Sequence, residues 1–284
     1  MKRMQLIHRY QNRPTVFHRP VLLLCTSLLI FIPFFRGNTC QAYAKSLENI
    51  SVSTPTPILE FSIPESGEPV ILSPGDNARL VSPLKIKLAT RPGDDGMVRI
   101  ELFGKDHRLI FRKLLDYGKY KRKTILIEQE IPFEIRSDES ARLQVVLENY
   151  KNKPIFITSV DLTLLSVRGT ESKGEEAVYP RFKIEQPVPG QTVQGEFLVI
   201  KGQIKPVNNT PIVVELIASD WNTLTSKIVG ITLPADQTAY TPILVKLPFK
   251  TETQIPATLR IRQESNTLIK GTVMLWSDMI TLIK

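Results

Sequence analysis

Two stretches decide the fold of this chain: Val98-Arg-Ile-Glu-Leu-Phe-Gly-Lys-Asp106 and Ile212-Val-Val-Glu-Leu-Ile-Ala-Ser-Asp220. In each, apolar residues alternate around a central glutamate, an aspartate ends the segment, and the two segments lie 114 positions apart. A period of two places one side of a strand on a core and the other side in water. The same amphipathic strand therefore occurs twice, which predicts a duplicated β unit.

Further matches extend this repeat in the same order along the chain. They pair residues 131–133 with 247–249, 141–145 with 257–261, 162–164 with 280–282, and Pro74-Gly75 with Pro189-Gly190. The offset grows slowly, from 114 to 116 and then 118. Slow growth is expected when only loops gain residues. We therefore predict a unit of roughly 100 residues, a common domain size, written twice.

The remaining pattern is that of short strands. Leu143, Val145 and Leu147 alternate with Arg142, Gln144 and Glu148, so we expect Arg142 and Gln144 to face water. Turn residues recur about every 8–12 positions, and no stretch after residue 45 keeps a helical period. The sequence predicts an all-β fold of two tandem immunoglobulin-like antiparallel β-sandwiches.

The first 44 residues predict an export signal. They hold six basic and no acidic residues, an apolar run at 21–35, and the small-residue motif Ala42-Tyr-Ala44. This is the pattern of a secretory signal peptide. The alternative is an uncleaved signal anchor, in which case the chain touches the membrane through this segment only. Both interpretations place the remainder outside the cytoplasm, either secreted or anchored at the outer face of the membrane.

These features divide the chain into five parts. The expected order is a signal peptide or anchor at 1–44, an extended spacer at 45–57, a first sandwich at 58–167, a polar linker at 168–180, and a second sandwich at 181–284. Both cysteines, Cys25 and Cys40, belong to the first part. A cleaved chain would therefore have no thiol, and its stability would come from its core.

The start of the second unit carries a family resemblance. Residues 182–195 read Phe-Lys-Ile-Glu-Gln-Pro-Val-Pro-Gly-Gln-Thr-Val-Gln-Gly, and Phe197-Leu-Val-Ile-Lys-Gly-Gln203 follows. This resembles tandem bacterial immunoglobulin-like domains of secreted and surface proteins, notably the spore-germination type. The resemblance covers residues 182–283 and, more faintly, 69–166. It implies an extracytoplasmic binding or spacer module and brings no catalytic residues.

The composition gives no support for catalysis or nucleic-acid binding. The net charge of +9 depends on the export segment, since the other residues hold 31 basic and 28 acidic side chains. His107 is the single histidine after residue 45, and it falls in a predicted turn. A catalytic triad or a typical zinc site needs more than this. We expect no enzyme, no cofactor and no nucleic-acid partner.

Three groups of residues remain as candidate ligand sites. Asp76, Asp94 and Asp95 lie in loops that could meet and bind calcium, although aspartate beside glycine is also an ordinary turn former. Trp221 lies near a predicted turn and could stack on a sugar ring. The basic run Lys119, Tyr120, Lys121, Arg122 and Lys123 could bind an anionic polymer, or it could be a solvated connection that protects a sheet edge.

The expected function is that of an exported, surface-associated binding, adhesion or scaffold module. Its partner would be an extracytoplasmic protein or a cell-envelope polymer. The alternative is a module that binds carbohydrate or a cell-wall polyanion, with Trp221 and the 119–123 run as its contacts.

Overall fold

The computed structural model describes residues 67–166, 169–175, 179–236, 239–267 and 269–284. The predicted export segment 1–44 and spacer 45–57 lie outside these residues. Across the described ranges, no helix is long and apolar enough to cross a lipid bilayer.

The described residues form two sets of eight strands. The first set is β1 Val70–Ser73, β2 Ala78–Leu80, β3 Leu84–Thr90, β4 Met97–Phe103, β5 Leu109–Asp116, β6 Ile125–Ile131, β7 Glu139–Glu148 and β8 Pro154–Leu164. The second set is β9 Phe182–Gln186, β10 Thr192–Gln194, β11 Phe197–Ile204, β12 Ile212–Ala218, β13 Thr223–Val229, β14 Thr241–Pro248, β15 Ile255–Glu264 and β16 Thr272–Ile283.

Each set builds the same two sheets. In the first, β1-β3-β6 faces β5-β4-β7-β8, and β2 joins the second sheet parallel to β8. In the second set, β9-β11-β14 faces β13-β12-β15-β16, and β10 pairs parallel to β16. A short sheet facing a longer antiparallel sheet is the immunoglobulin-like arrangement. The predicted all-β fold with two such sandwiches is confirmed.

Alternating strands supply the core, as the sequence predicts. Ile86 and Leu88 of β3 pack with Val145 of β7, and all three side chains are buried. The equivalent apolar residues of β11 and β15 are buried in the same way. Burying such side chains contributes about 1.5–3 kcal/mol each. Trp276, in the last strand, is also part of this core.

The strand registers shift one of the predicted matches. The pairings of β1 with β3 and of β9 with β11 make Pro74 and Pro187 equivalent positions of the repeat, at an offset of 113. The sequence comparison had matched Pro74 with Pro189. Proline followed by glycine occurs at both positions 74 and 189, which misled the comparison, whereas the hydrogen-bonded register is unambiguous.

The two sandwiches join edge to edge. β8 and β16 pair antiparallel through Ile157–Leu275 and Phe156–Trp276, so eight strands form one continuous sheet. Ile157 and Leu275 are equivalent residues of the repeat, 118 positions apart. An antiparallel pair of equivalent residues defines a local two-fold axis. Ser159 Oγ donates to Val273 O at 2.7 Å, and the equivalent Ser277 Oγ donates to Ile155 O at 3.4 Å.

Candidate functional site

The local two-fold axis gives the junction of the sandwiches two sides. On each side, the turn after the fourth strand of one sandwich faces the loop between the last two strands of the other. One side brings His107 to Gly271, where a Cβ added to the glycine would lie 3.3 Å from His107 Cε1. The other side brings the equivalent Trp221 to Lys153, whose Nζ lies 5.2 Å from the indole centroid. We call these the His107 side and the Trp221 side.

Arg142 fills the His107 side. Its guanidinium binds Asp161 through Nε at 2.7 Å and Nη2 at 3.1 Å, and it donates through Nη1 to Ile269 O at 2.7 Å. Nη2 also donates to Ser265 Oγ at 3.0 Å and Thr267 Oγ1 at 3.2 Å. The side chain is 2% exposed. The expectation that Arg142 faces water is wrong, because the second sandwich covers the outer face of β7 at this point.

The Trp221 side lacks this arginine. The registers of β7–β8 and β15–β16 make Thr258 the equivalent of Arg142 and Met279 the equivalent of Asp161. Thr258 and Met279 are too short or too apolar to bridge the sandwiches. An open groove of about 470 Å³ remains there, and both residues line it.

The groove is lined by both sandwiches. The first sandwich contributes Asp94 and the loop and strand residues 149–151 and 153–156. The second contributes residues 217–219, Trp221, Thr258, Arg260 and residues 277–279. The groove thus combines an indole ring, two carboxylates and basic side chains. A volume of 300–1,000 Å³ is typical of small-ligand sites.

Local structure fixes Trp221 at the mouth of the groove. Trp221 has a φ of 69° in the turn between β12 and β13, and its N–H donates to Ala218 O at 2.9 Å. The Asp220 carboxylate accepts the Asn222 N–H at 3.0 Å and closes the same turn. The indole is half-buried. Lys153 holds its ring by a cation–π contact.

Two carboxylates from different sandwiches, Asp94 and Asp278, line the groove. Burial raises the pKa of Asp278, the Met279 N–H opposes this shift, and the negative charge of Asp94 raises that pKa further. Asp278 Oδ1 accepts the Met279 N–H at 2.7 Å. In the part of the chain that the structure describes, neither carboxylate forms an ion pair. The Asp94 carboxylate and Asp278 Oδ2 can therefore accept hydrogen bonds from a ligand.

Arg260 is the basic group in the floor of the groove. Its Nε donates to Glu215 Oε2 at 2.8 Å, and Arg262 Nε approaches the same oxygen at 3.2 Å. Burial raises the pKa of Glu215, but the hydrogen bonds and charges of the two arginines outweigh it, so the pKa is lowered. Glu215 is thus an anion that fixes the arginine side chains.

The candidate calcium residues do not come together. Asp94 N binds Glu148 O at the end of β7, whereas Asp76 Oδ1 accepts the Asp161 N–H near the other end of β8. Asp95 Oδ1 accepts the Met97 N–H at 2.8 Å and so closes its own turn. Among the described residues, no group of three or more His, Cys, Asp or Glu side chains could hold a metal ion.

Asp76 belongs instead to the polar junction on the inner side of the linker. Its Oδ2 lies 3.7 Å from Arg181 Nη2, and Arg181 also donates to Ser159 O at 3.0 Å. Glu68 accepts the Arg181 N–H at 2.8 Å and the Phe182 N–H at 3.1 Å. Burial raises the pKa of Glu68 to about 7, against the lowering effect of these two N–H groups. This cluster ties the start of the second sandwich to the first.

The linker residues also pair with the first sandwich. Ser172 forms a β-bridge with Arg79, and Glu175 forms one with Asp76. The sequence of residues 168–180 predicts a polar linker, because these residues hold few bulky apolar side chains. The hydrogen bonds of the backbone supply the contact that side-chain composition does not reveal.

The basic run borders the groove without entering it. Lys119, Lys121, Arg122 and Lys123 are exposed, and Tyr120 packs partly against the core. Lys121 Nζ donates to Asp94 O at 2.8 Å. The run therefore lies directly behind the loop whose carboxylate lines the groove.

A second concavity is less well suited to a ligand. It has a volume of about 700 Å³, lies at the far end of the first sandwich, and includes Phe133, Leu165 and Glu171. Its lining borders residues 167 and 168, which are outside the described ranges. It offers no half-buried tryptophan, so the groove is the stronger candidate.

No protein-family model and no curated protein matches this chain. Among solved structures, it is similar to fibronectin(III)-like modules of CbhA from Clostridium thermocellum, with 14% identity over 76% of this chain and 93% of that one, at a TM-score of 0.23. It is similar to titin domains in complex with telethonin, with 13% identity over 76% and 95%, at 0.21. It is also similar to dimeric latent PorU from Porphyromonas gingivalis, with 15% identity over 81% of this chain and 20% of that one, at 0.28. The strand order described above, rather than any of these similarities, makes the fold immunoglobulin-like.

Proposed function

We propose that the chain is a non-catalytic binding module that acts outside the cytoplasm and binds its partner in the groove of the Trp221 side. The observation that carries this proposal is the difference between the two sides of the junction. Arg142 closes one side, whereas Thr258 and Met279 leave the other open. The groove presents hydrogen-bonding groups and a ring but no nucleophile paired with a base, so binding is the chemistry it offers.

Rigidity supports a binding or scaffold role. The continuous sheet, the Arg142 contacts and the Glu68–Arg181 cluster hold the two sandwiches as a unit. A preorganised site loses little conformational entropy when a ligand binds. The groove is shaped by both sandwiches and therefore depends on this rigidity.

An extracytoplasmic location is proposed from the N-terminal 44 residues. The resemblance of residues 182–203 to immunoglobulin-like domains of secreted and surface bacterial proteins, notably the spore-germination type, supports the same location. The test is surface proteolysis of intact cells that produce the full chain. Digestion of residues 67–284 in intact cells is the expected result, and protection until lysis would contradict it.

The alternative function is binding of a cell-wall polyanion through the 119–123 run. The exposure of its four basic side chains favours this alternative. Binding of purified envelope polymer to the full chain would separate the two. Affinity that falls steeply with salt and is lost when Lys119, Lys121, Arg122 and Lys123 become glutamine supports the polyanion function. Affinity that is unchanged by those substitutions but lost in Trp221→Asn supports the groove.

A further inference from the structure

The proposed function does not specify the class of ligand. The residues that line the groove favour some ligand classes over others. Strand addition by a peptide is disfavoured, because the strand edges next to the groove are already used. β16 pairs with β8 at Leu275 and Trp276, and Met279 O accepts the Gly190 N–H at 2.8 Å. A peptide would find few free backbone groups to extend the sheet.

The groups that remain are those that recognise a polyhydroxylated ring. Lys153 lies over one face of the half-buried Trp221 indole, so the opposite face is the apolar surface, of the size of a pyranose, that a sugar ring would use. Such rings carry large contact area at low entropic cost. Asp94 and Asp278 offer adjacent carboxylates without ion-pair partners in the described residues. A carboxylate accepts hydrogen bonds from hydroxyl groups at short distance. Asn149, in the facing loop, adds an amide that donates and accepts.

We propose that the groove of the Trp221 side binds a pyranose unit of a glycan, with the sugar ring against Trp221 and its hydroxyl groups on Asp94 and Asp278. This rests on the proposed binding function and names its ligand class. Lys153 and Lys151 lie at the rim and would contact the neighbouring sugar units of a longer chain.

The repeat itself supplies a variant that closes the groove. Thr258→Arg combined with Met279→Asp installs, on the Trp221 side, the pair that Arg142 and Asp161 form on the His107 side. The control is Val199→Asp combined with Leu244→Arg. It adds the same two charges to exposed positions of β11 and β14 and leaves the groove untouched.

The stacking contact has its own variant. Trp221 has a left-handed backbone, and asparagine tolerates that conformation better than other side chains apart from glycine. Trp221→Asn therefore removes the ring and keeps the turn. Retention of the overall fold is checked by far-UV circular dichroism and an unchanged unfolding midpoint.

The experiment titrates the full chain with cellotetraose, chitotetraose and tetragalacturonate, which present unsubstituted neutral, N-acetylated and acidic pyranoses. Tryptophan fluorescence is the readout for the wild type, the closed-groove variant and the control, because Trp276 is 5% exposed and Trp221 is the accessible indole. Saturation-transfer NMR of the sugar protons confirms contact and measures the affinity of Trp221→Asn, which lacks the reporting indole. We expect at least one probe to bind, its affinity to fall at least tenfold in Trp221→Asn and in the closed-groove variant, and the control to bind as the wild type does.

Several results would overturn this inference. Binding that survives both groove variants would place the sugar elsewhere, and failure of all three probes would exclude a pyranose site. A protein partner that binds the wild type, is lost from the closed-groove variant and is not displaced by any probe would retain the proposed binding function and reject the glycan.

Discussion

Arg142→Thr should weaken the coupling between the two sandwiches, which then depends on the β8–β16 pairing and the Glu68–Arg181 cluster. The substitution introduces threonine, the residue that the second sandwich has at the equivalent position 258. It removes the ion pair with Asp161 and the hydrogen bonds that Arg142 donates to Ile269 O, Ser265 and Thr267. Breaking a buried ion pair costs about 3–5 kcal/mol when it leaves an uncompensated charge. The Asp161 side chain is 32% exposed and can be hydrated, so we expect the lower end, about 3 kcal/mol of unfolding free energy.

Urea denaturation followed by two signals measures both the loss and the weaker coupling. Both tryptophans belong to the second sandwich, whereas far-UV circular dichroism reports on both. Coincident transitions are expected for the wild type, since a single cooperative unit unfolds in one step. In Arg142→Thr the fluorescence and dichroism transitions should separate.

The matched control is Arg112→Thr, on the same sheet. Arg112 is 54% exposed, and its partner Glu101 keeps a contact of 3.3 Å with Arg99. Exposed ion pairs contribute about 0–1 kcal/mol, so the control should lose no more than this. Equal losses in the two variants, or a loss below about 1 kcal/mol in Arg142→Thr with coincident transitions, would refute the reasoning.

Three other measurements test separate features of the structure. Glu68 has a pKa of about 7 in the folded state against 4.5 in the unfolded state, so at pH values between these two the folded state binds a proton that the unfolded state does not. The contribution of Glu68 to stability is therefore full below about pH 4.5 and is lost by about pH 7. The free energy of unfolding should decrease by about 3 kcal/mol over this range. Glu68→Gln should remove this slope from unfolding curves taken between those pH values, and a slope identical to the wild type would argue against it. Gly202→Ala places a Cβ 2.5 Å from Lys183 O and should lower the free energy of unfolding by about 1–3 kcal/mol, measured by heat or urea. The control Gly230→Ala has open space around its Cβ and should change that free energy by less than about 0.5 kcal/mol. Similar values for the two variants would contradict the packing. Glutamine at the four basic positions of the 119–123 run should leave the unfolding midpoint unchanged, because these side chains are exposed; a lower midpoint would show a structural role for them.

The sequence was sufficient to predict the class of fold. Period-two alternation, as at Leu84, Ile86 and Leu88, specifies a strand with one buried face, and the repeat specifies two copies of the unit. Alternation is a local signal and the repeat is a similarity between two parts of the sequence, so both can be recognised without knowing which residues are in contact in the folded chain.

The junction could not be predicted in the same way. The side-chain pattern of β7 predicts correctly which face enters its own sandwich, but it does not show that a second sandwich covers the other face at Arg142. The partners of Arg142 in the second sandwich are 123–127 residues away in sequence. Long-range packing of this kind leaves no periodic signal.

The candidate site was predicted in part. Trp221 was identified from its residue type, and the structure places it in the groove; Asp94 was identified as a calcium candidate and lies there too. Asp278, Thr258 and Lys153 were missed, because an isolated polar residue in a strand or loop is common. One signal in the sequence could have identified Thr258. It occupies the position that is equivalent to Arg142 in the repeat, and a residue that differs in chemical type between the two copies indicates a position that the shared fold does not require.

The two-fold relation between β8 and β16 has a consequence for how such a groove can arise. Equivalent strands that pair across a two-fold axis form the isologous interface of a homodimer. In a homodimer, every substitution occurs on both sides at once, so both sides would be bridged by arginine or neither would. A covalently fused pair is free of that constraint. Fusion allows one chain to keep Arg142, which connects the two sandwiches on the His107 side, and to carry Thr258 on the Trp221 side, where a ligand can enter.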